Sequence, residues 1–228
     1  MSFETRDVSW SVDGRLILDG VTLSAPEGGI TGILGPNGSG KSSLLRTMVG
    51  ALSPDGGTWL LHDVDLSRLN RRERAKQLAL VEQESQADVV LTVLEVVLLG
   101  RTPHRSRWSV DSKADLDLAL ECLERTGAVD LKDRDIAPTN HLDVAAQLAL
   151  LSLVRRSGVT SVLVLHDLNQ ALAWCDHVVV LNHGRVVAAG PPVQVLTPDL
   201  VRTVYGVEAE VVTTAAGARV LTFSLAQD

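Results

Sequence analysis

Ile30-Thr31-Gly32-Ile33-Leu34 runs straight into Gly35-Pro36-Asn37-Gly38-Ser39-Gly40-Lys41-Ser42-Ser43. The first five residues are a short apolar run, the pattern of a strand buried in a parallel sheet. The next residues satisfy G-x-x-x-x-G-K-[ST] in full, and Ser42 to Val49 reads as a helix stopped at Gly50. A glycine-rich turn between a buried strand and a helix points successive backbone N–H groups inward at phosphate oxygens. The N-terminal dipole of the helix adds to the same field. Lys41 is placed to reach β- and γ-phosphates, and the Ser42 hydroxyl to ligate Mg²⁺.

Outward from the loop, Val8 to Val12, Leu16 to Leu18 and Val21 to Leu23 read as strands around a Gly14 turn, an antiparallel β part ahead of the loop. Pro54-Asp55-Gly56-Gly57 is a turn before a strand at Thr58 to Leu61. Arg71 to Gln77 is a charged helix, and Leu78 to Val81 a short apolar strand ending at Glu82-Gln83. Residues 92–127 read as helical. Thr92 caps a helix running to Leu99, and Asp115 to Arg125 carries Leu116, Ala119, Leu120 and Leu123 on one face. Val144 to Arg156 is an amphipathic helix closed by Gly158. Val162 to Leu165 is a buried strand ending at His166-Asp167, and Leu168 to Trp174 is the next helix. Val178 to Leu181 and Arg185 to Ala188 form a hairpin across Asn182-His183-Gly184, and the tail from Pro198 holds one helix and two short strands. Strands alternating with helices predict an α/β fold with a parallel core sheet.

The chain has 228 residues and 45% hydrophobic content, enough for one large domain with an aliphatic core. The net charge of −7 argues against a broad nucleic-acid-binding face. Cys122 and Cys175 lack metal-ligand spacing and read as reduced, buried thiols of a cytosolic protein. The start, Met-Ser-Phe-Glu-Thr-Arg-Asp, does not read as a signal peptide. No apolar run approaches the ~20 residues of a membrane helix. A membrane role is therefore expected to run through a partner.

Two strand ends carry polar residues of interest. Gln83 fits either a contact to a metal and an attacking water or a plain polar strand end. His166, after Val-Leu-Val-Leu, fits either a γ-phosphate contact or a solvated strand end. Taken in order, the strand pair, the phosphate loop, Val81-Glu82-Gln83, Asn140-His141-Leu142-Asp143 and His166 resemble the ATPase subunit of ABC transporters. They stand for its Q-loop, D-loop and switch histidine, and the resemblance covers nearly the whole chain. Thr92-Val93-Leu94-Glu95 and Leu99-Gly100-Arg101-Thr102-Pro103-His104-Arg105 resemble the branch that serves ferric-siderophore, haem and cobalamin importers.

The resemblance implies a P-loop NTPase fold, with 1–228 as a single nucleotide-binding domain and a helical subdomain at about 84–136. It implies ATP held by Gly35, Pro36, Asn37, Gly38, Ser39, Gly40, Lys41, Ser42 and Ser43, and Mg²⁺ held by Ser42 and Gln83. Gln83 and His166 would serve catalysis. An adenine-stacking aromatic is implied at the position of Val12; Trp10, two residues earlier, fits that role on a regular strand, or core packing. The implied partners are transmembrane permease subunits, a second ATPase subunit as a homodimer and, indirectly, an external solute-binding protein. The implied place is the cytoplasmic face of the membrane.

The same resemblance exposes a loss. The family's helical part leads into a signature loop, a helix, and a strand ending in Asp-Glu-Pro-Thr. Here Asp135-Ile136-Ala137 passes straight to Pro138-Thr139. The signature loop, the core strand, the magnesium-orienting Asp and the general-base Glu are not in the chain. A helix, a strand and their connections amount to about 30–40 residues. Three explanations fit: an in-frame deletion in the gene or its reading, a segment omitted from the chain as recorded, and a degenerate relative. Nucleotide binding is expected to survive in weakened form, and hydrolysis to be close to absent. A non-hydrolysing regulatory module is the alternative; a small P-loop kinase leaves Gln83, Asn140 to Asp143 and His166 unexplained.

Overall fold

The computed structural model describes residues 3–81, 91–106, 110–136 and 144–225. The chain divides into two compact units, residues 1–68 with 154–228, and residues 69–153.

The first unit opens with a long hairpin, β1 (Phe3–Val12) and β2 (Arg15–Ala25), which pair antiparallel from Phe3↔Ala25 to Val12↔Arg15. The two patches read separately at 16–18 and 21–23 are one strand. β3 (Ile30–Leu34) follows, buried at all five positions, and leads through the glycine loop into α1 (Lys41–Met48). β4 (Gly56–Leu61) pairs with β1, and β5 (Val64–Asp65) with β4, giving a sheet ordered β2-β1-β4-β5. Phe3 and Trp59 pack in its core with ring centroids 6.2 Å apart.

In the second unit, α2 (Arg71–Gln77) is opened by a reciprocal cap between Asn70 and Glu73. The apolar run Leu78 to Val81, expected as a strand, is not one: the described residues 78–81 lie outside any strand, and Val81 is 90% exposed. A strand exists through its hydrogen-bonded neighbour, and none pairs with this run among the described residues. β6 (Leu91–Thr92) leads into α3 (Val93–Leu99), capped by Thr92 with Glu95 reaching back. α4 (Lys113–Thr126) is capped by Ser112 with Asp115, and the Arg101 guanidinium also binds Asp115 at 2.8 Å. Ser112, then Arg101, hold the Asp115 carboxyl down at about 2. Ala119 and Leu123 are buried, whereas Leu116 is exposed. Cys122 corrects the expectation of a buried thiol: it is exposed, one position off the face that buries Leu123. β7 (Asp135–Ile136) pairs with β6.

α5 (Val144–Ser157) returns the chain to the first unit. β8 (Ser161–Val164), α6 (Leu168–Trp174), β9 (His177–Asn182) and β10 (Arg185–Gly190) complete the second sheet, ordered β10-β9-β3-β8. β8 and β9 flank β3 in parallel, and β10 closes on β9 through His183-Gly184, both at positive φ as a tight hairpin requires. The tail is α7 (Pro192–Val195), α8 (Pro198–Tyr205) and the hairpin β11 (Val207–Thr213) with β12 (Arg219–Leu225).

β8 departs from the fully buried strand that its apolar run predicts. It stands at the edge of the sheet, and all four of its residues are only half-buried. Neighbouring β3 and the centre of β9, residues 178–181, are buried throughout. Among the described residues no strand flanks the outer edge of this Val-Leu-Val run, although its composition suits one.

Packing between β3 and α6 is tight enough to demand glycine. A Cβ at Gly32 would sit 2.8 Å from the Sγ of Cys175, which follows α6 and is itself buried. Burial, and then Asp176, push the Cys175 thiol up to about 12, so it behaves as an inert packing group. Gly32→Ala is expected to cost about 1–3 kcal/mol of stability by overpacking, and Cys175→Ala in the same chain to recover much of it. Urea unfolding of the two variants checks this; equal stabilities would contradict it.

Candidate functional site

The phosphate loop is held from three sides. At its start, Gly35 has φ 140°, and an added Cβ would lie 2.1 Å from the Leu181 carbonyl at the end of β9. Only glycine lets the loop pass so close to that strand. At its end, Gly40 has φ 101° and faces Leu18 and Ile17 of β2. Gly184, in the β9–β10 turn, packs closer still: an added Cβ would lie 2.3 Å from the Ile17 carbonyl oxygen. The Gly184 N–H donates to Ser39 O at 3.1 Å, and Asp19 N–H donates to Gly184 O at 2.9 Å. Arg185 Nε adds a 2.7 Å bond to Asp19. Both four-stranded sheets of the first unit thus converge on one nine-residue loop.

Inside the loop, Ser39 N–H donates to Pro36 O at 3.2 Å, and Leu44 N–H to Gly40 O at 2.8 Å opens α1. Lys41 is 6% exposed, and its Nζ donates to Gly35 O and Pro36 O, each at 2.8 Å. No carboxylate pairs with it among the described residues, and burial holds its pKa below the usual lysine range. The Ser39 hydroxyl is buried without a partner among the described residues. A desolvated ammonium with no counter-charge, an orphaned hydroxyl and a glycine cradle at a helix N-terminus suit a polyphosphate. Ser42 is exposed and Ser43 half-buried at the head of α1. A lone hydroxyl ligand fits Mg²⁺, which keeps several waters and takes phosphate oxygens alongside.

His166 stands at the same edge of the sheet. β8 pairs with β3 in register Ile33↔Val164, and Leu165 N–H donates to Ile33 O at 3.2 Å. His166 therefore leaves the carboxyl end of β8 beside the strand end from which Gly35 departs, and it is exposed. The crevice beyond the carboxyl ends of parallel strands is where such sheets bind ligands. Val12 is exposed and Trp10 half-buried on β1. Trp10 pairs with Leu18, the residue that abuts Gly40. The regular strand assumed for Trp10 is not found: the β1–β2 register shifts on both sides of it. Gln83 and Asn140 to Asp143 lie outside the described residues.

Two loop supports carry no motif in the sequence. Burial pushes the Tyr205 phenol, at the end of α8, up to about 12, and the neighbouring Gly35 backbone opposes that shift. The Asp176 carboxylate accepts from Ile30 N–H at 2.8 Å and anchors the start of β3. Tyr205 is 170 positions from the loop, so only the folded topology brings them together.

The chain was compared with known proteins. A hemin import ATP-binding protein of Bordetella bronchiseptica is 32% identical over 250 residues, covering 92% of this chain and 94% of that protein. An iron(3+)-hydroxamate import ATP-binding protein of Bacillus subtilis is 30% identical over 243 residues, covering 93% and 90%. Since 92% of 228 residues is about 210, about 40 of the 250 aligned positions face gaps in this chain. The same arithmetic on the second alignment (93% of 228, about 212, against 243) leaves about 31. A nucleotide-free ATP-binding cassette from an ABC transporter shares the fold with a TM-score of 0.74 at 23% identity, covering 90% of this chain and 96% of that one. The ABC transporter family model matches residues 18–159, from β2 through the phosphate loop and the three capped helices to just past α5. That match spans more than half of the chain and takes in the loop whose geometry the fold so closely controls, so the protein belongs to the ABC transporter family as one of its ATP-binding subunits.

Proposed function

We propose that this chain is the ATP-binding subunit of an importer for an iron chelate, haem or a corrinoid. The loop carries the reading: Lys41 is desolvated, lacks a counter-charge and lies in a glycine cradle at the head of α1. The names of the relatives, hemin and iron(3+)-hydroxamate import proteins, support the cargo class. In this reading 1–228 is one nucleotide-binding domain with a helical subdomain. It works on the cytoplasmic face beneath transmembrane permease subunits, as one of two like ATPase subunits, with an external binding protein delivering cargo. Among the described residues no helix is long and apolar enough to cross a membrane, in keeping with a subunit that reaches the membrane through its permease. Lys41 and the loop amides from Gly35 to Ser43 hold the phosphates. Ser42, with Gln83, holds the metal, and His166 faces the γ-phosphate. Trp10 or Val12 meets the base.

Hydrolysis is a separate matter. The sequence holds no Asp-Glu pair before Pro138-Thr139 and no signature loop. The 31–40 unmatched positions support the reading that one helix-and-strand segment is missing. A chain that binds ATP but does not turn it over follows, and the half-buried outer edge of β8, which no strand flanks among the described residues, favours it. Titration calorimetry with ATP and steady-state phosphate release test this together. The expected outcome is saturable binding with turnover at least about 10²-fold below that of an intact relative. Turnover at the intact rate, lost in Lys41→Ala, would overturn it. The intact mass of the protein isolated from its source separates a true deletion from an omitted segment.

A further inference from the structure

His166 is followed at once by α6, and a single side chain ties α6 to the C-terminal hairpin. Asn169 Nδ2 donates to Leu221 O at 3.0 Å, and Leu221 N–H donates to Asn169 Oδ1 at 2.7 Å. The amide thus satisfies both backbone groups of one residue of β12, as a neighbouring strand would. Leu221 is 3% exposed and shares a core with Leu168 and Ala171 of α6 and Ala209 of β11. From the other side, the Asp167 carboxylate accepts from Asn169 N–H at 2.8 Å and Gln170 N–H at 3.3 Å. The first turn of α6, beginning two residues after His166, is therefore fixed by its cap and by the hairpin. The same C-terminal segment reaches the start of the phosphate loop, because Tyr205, two residues before β11, packs against the core that holds Leu34, the residue before Gly35.

We propose that Asn169 is a positioning residue for His166, and that the β11–β12 hairpin acts through it to hold the histidine at the γ-phosphate edge of the loop. The hairpin is then a clasp across the two elements that meet the triphosphate, rather than a passive tail. This rests on the reading that His166 contacts the γ-phosphate, so both are tested in one experiment. Calorimetric affinities for ATP and ADP are measured on the full chain and on His166→Ala, Asn169→Ala, Asn169→Asp and the His166→Ala/Asn169→Ala double variant. Loss of the paired hydrogen bonds is expected to shrink the preference for ATP over ADP by about five- to tenfold, with ADP affinity held within about twofold. Acting through the histidine, Asn169→Ala should add nothing once His166 is gone. Asn169→Asp keeps the shape but sets a carboxylate against the Leu221 carbonyl. It should shift the preference the same way and is the variant to read if the alanine form does not fold. An unchanged ATP preference in both Asn169 variants, equal losses for both nucleotides, or additive effects in the double variant overturns the proposal while His166→Ala still lowers the preference. A His166→Ala variant that keeps its ATP preference overturns the underlying reading and the proposal with it.

Discussion

Lys41→Ala is expected to lower ATP affinity by about ten- to a hundredfold while leaving the nucleotide-free protein at least as stable as before. The two halves of this result come from the same geometry. The ammonium is buried against Gly35 O and Pro36 O with no carboxylate beside it among the described residues, and desolvation lowers its pKa. Its charge is therefore a burden on the free fold, lifted when a polyphosphate supplies the missing negative charge. Removing the side chain removes that burden along with the contact. The thermal shift induced by ATP should collapse in the variant, because ligand stabilisation follows occupancy. Calorimetry and thermal melting with and without ATP read both effects. A variant that melts far below the parent would mean that Lys41 is structural. One that binds ATP with parental affinity would remove the loop from the binding site.

Much of this organisation was legible in the chain because it is local. β3, the glycine loop and α1 form one contiguous stretch, and its apolar run, glycine spacing and helix stop all point the same way. The Thr92 cap and the His183-Gly184 turn were likewise readable from neighbours in sequence. What escaped depends on partners far along the chain. Leu78 to Val81 has the composition of a strand, but pairing is not a property of composition. β8 reads as a buried strand, yet among the described residues it is the last strand of its sheet and its side chains are half-buried, because burial depends on neighbours that composition does not specify. Tyr205 and Asn169 lie outside every motif: Tyr205 packs against the core that holds Leu34, Asn169 bonds the Leu221 backbone, and no local pattern marks either partner. The glycines divide the same way. The turn glycine Gly184 announced itself within a hairpin signal, whereas the need for Gly32 depends on Cys175, 143 positions away.

The edge strand and the missing carboxylates have a common remedy. Inserting the signature-to-Asp-Glu segment of an intact relative between Ala137 and Pro138 is expected to raise ATP turnover by about 10²–10⁴-fold, the contribution of a positioned general base. It should also stabilise the fold. Val162, Leu163 and Val164 of β8 are half-buried beside an edge that no strand pairs among the described residues, and a new aliphatic strand contributes about 1.5–3 kcal/mol for each side chain that it fully buries. For a chain of this size each kcal/mol raises the melting temperature by about 2–4 °C, so a rise of several degrees should accompany the gain in turnover. The two effects separate in a second graft that carries Gln in place of the Glu before Pro138. That graft should keep the higher melting temperature, bind ATP and remain inactive, because the strand is restored without its base. A first graft that gains stability without activity would mean that the loop and His166 are not set for catalysis even beside a complete carboxylate pair. One that gains neither would mean that the edge of β8 does not take the strand, and that the chain as it stands is a finished nucleotide-binding fold.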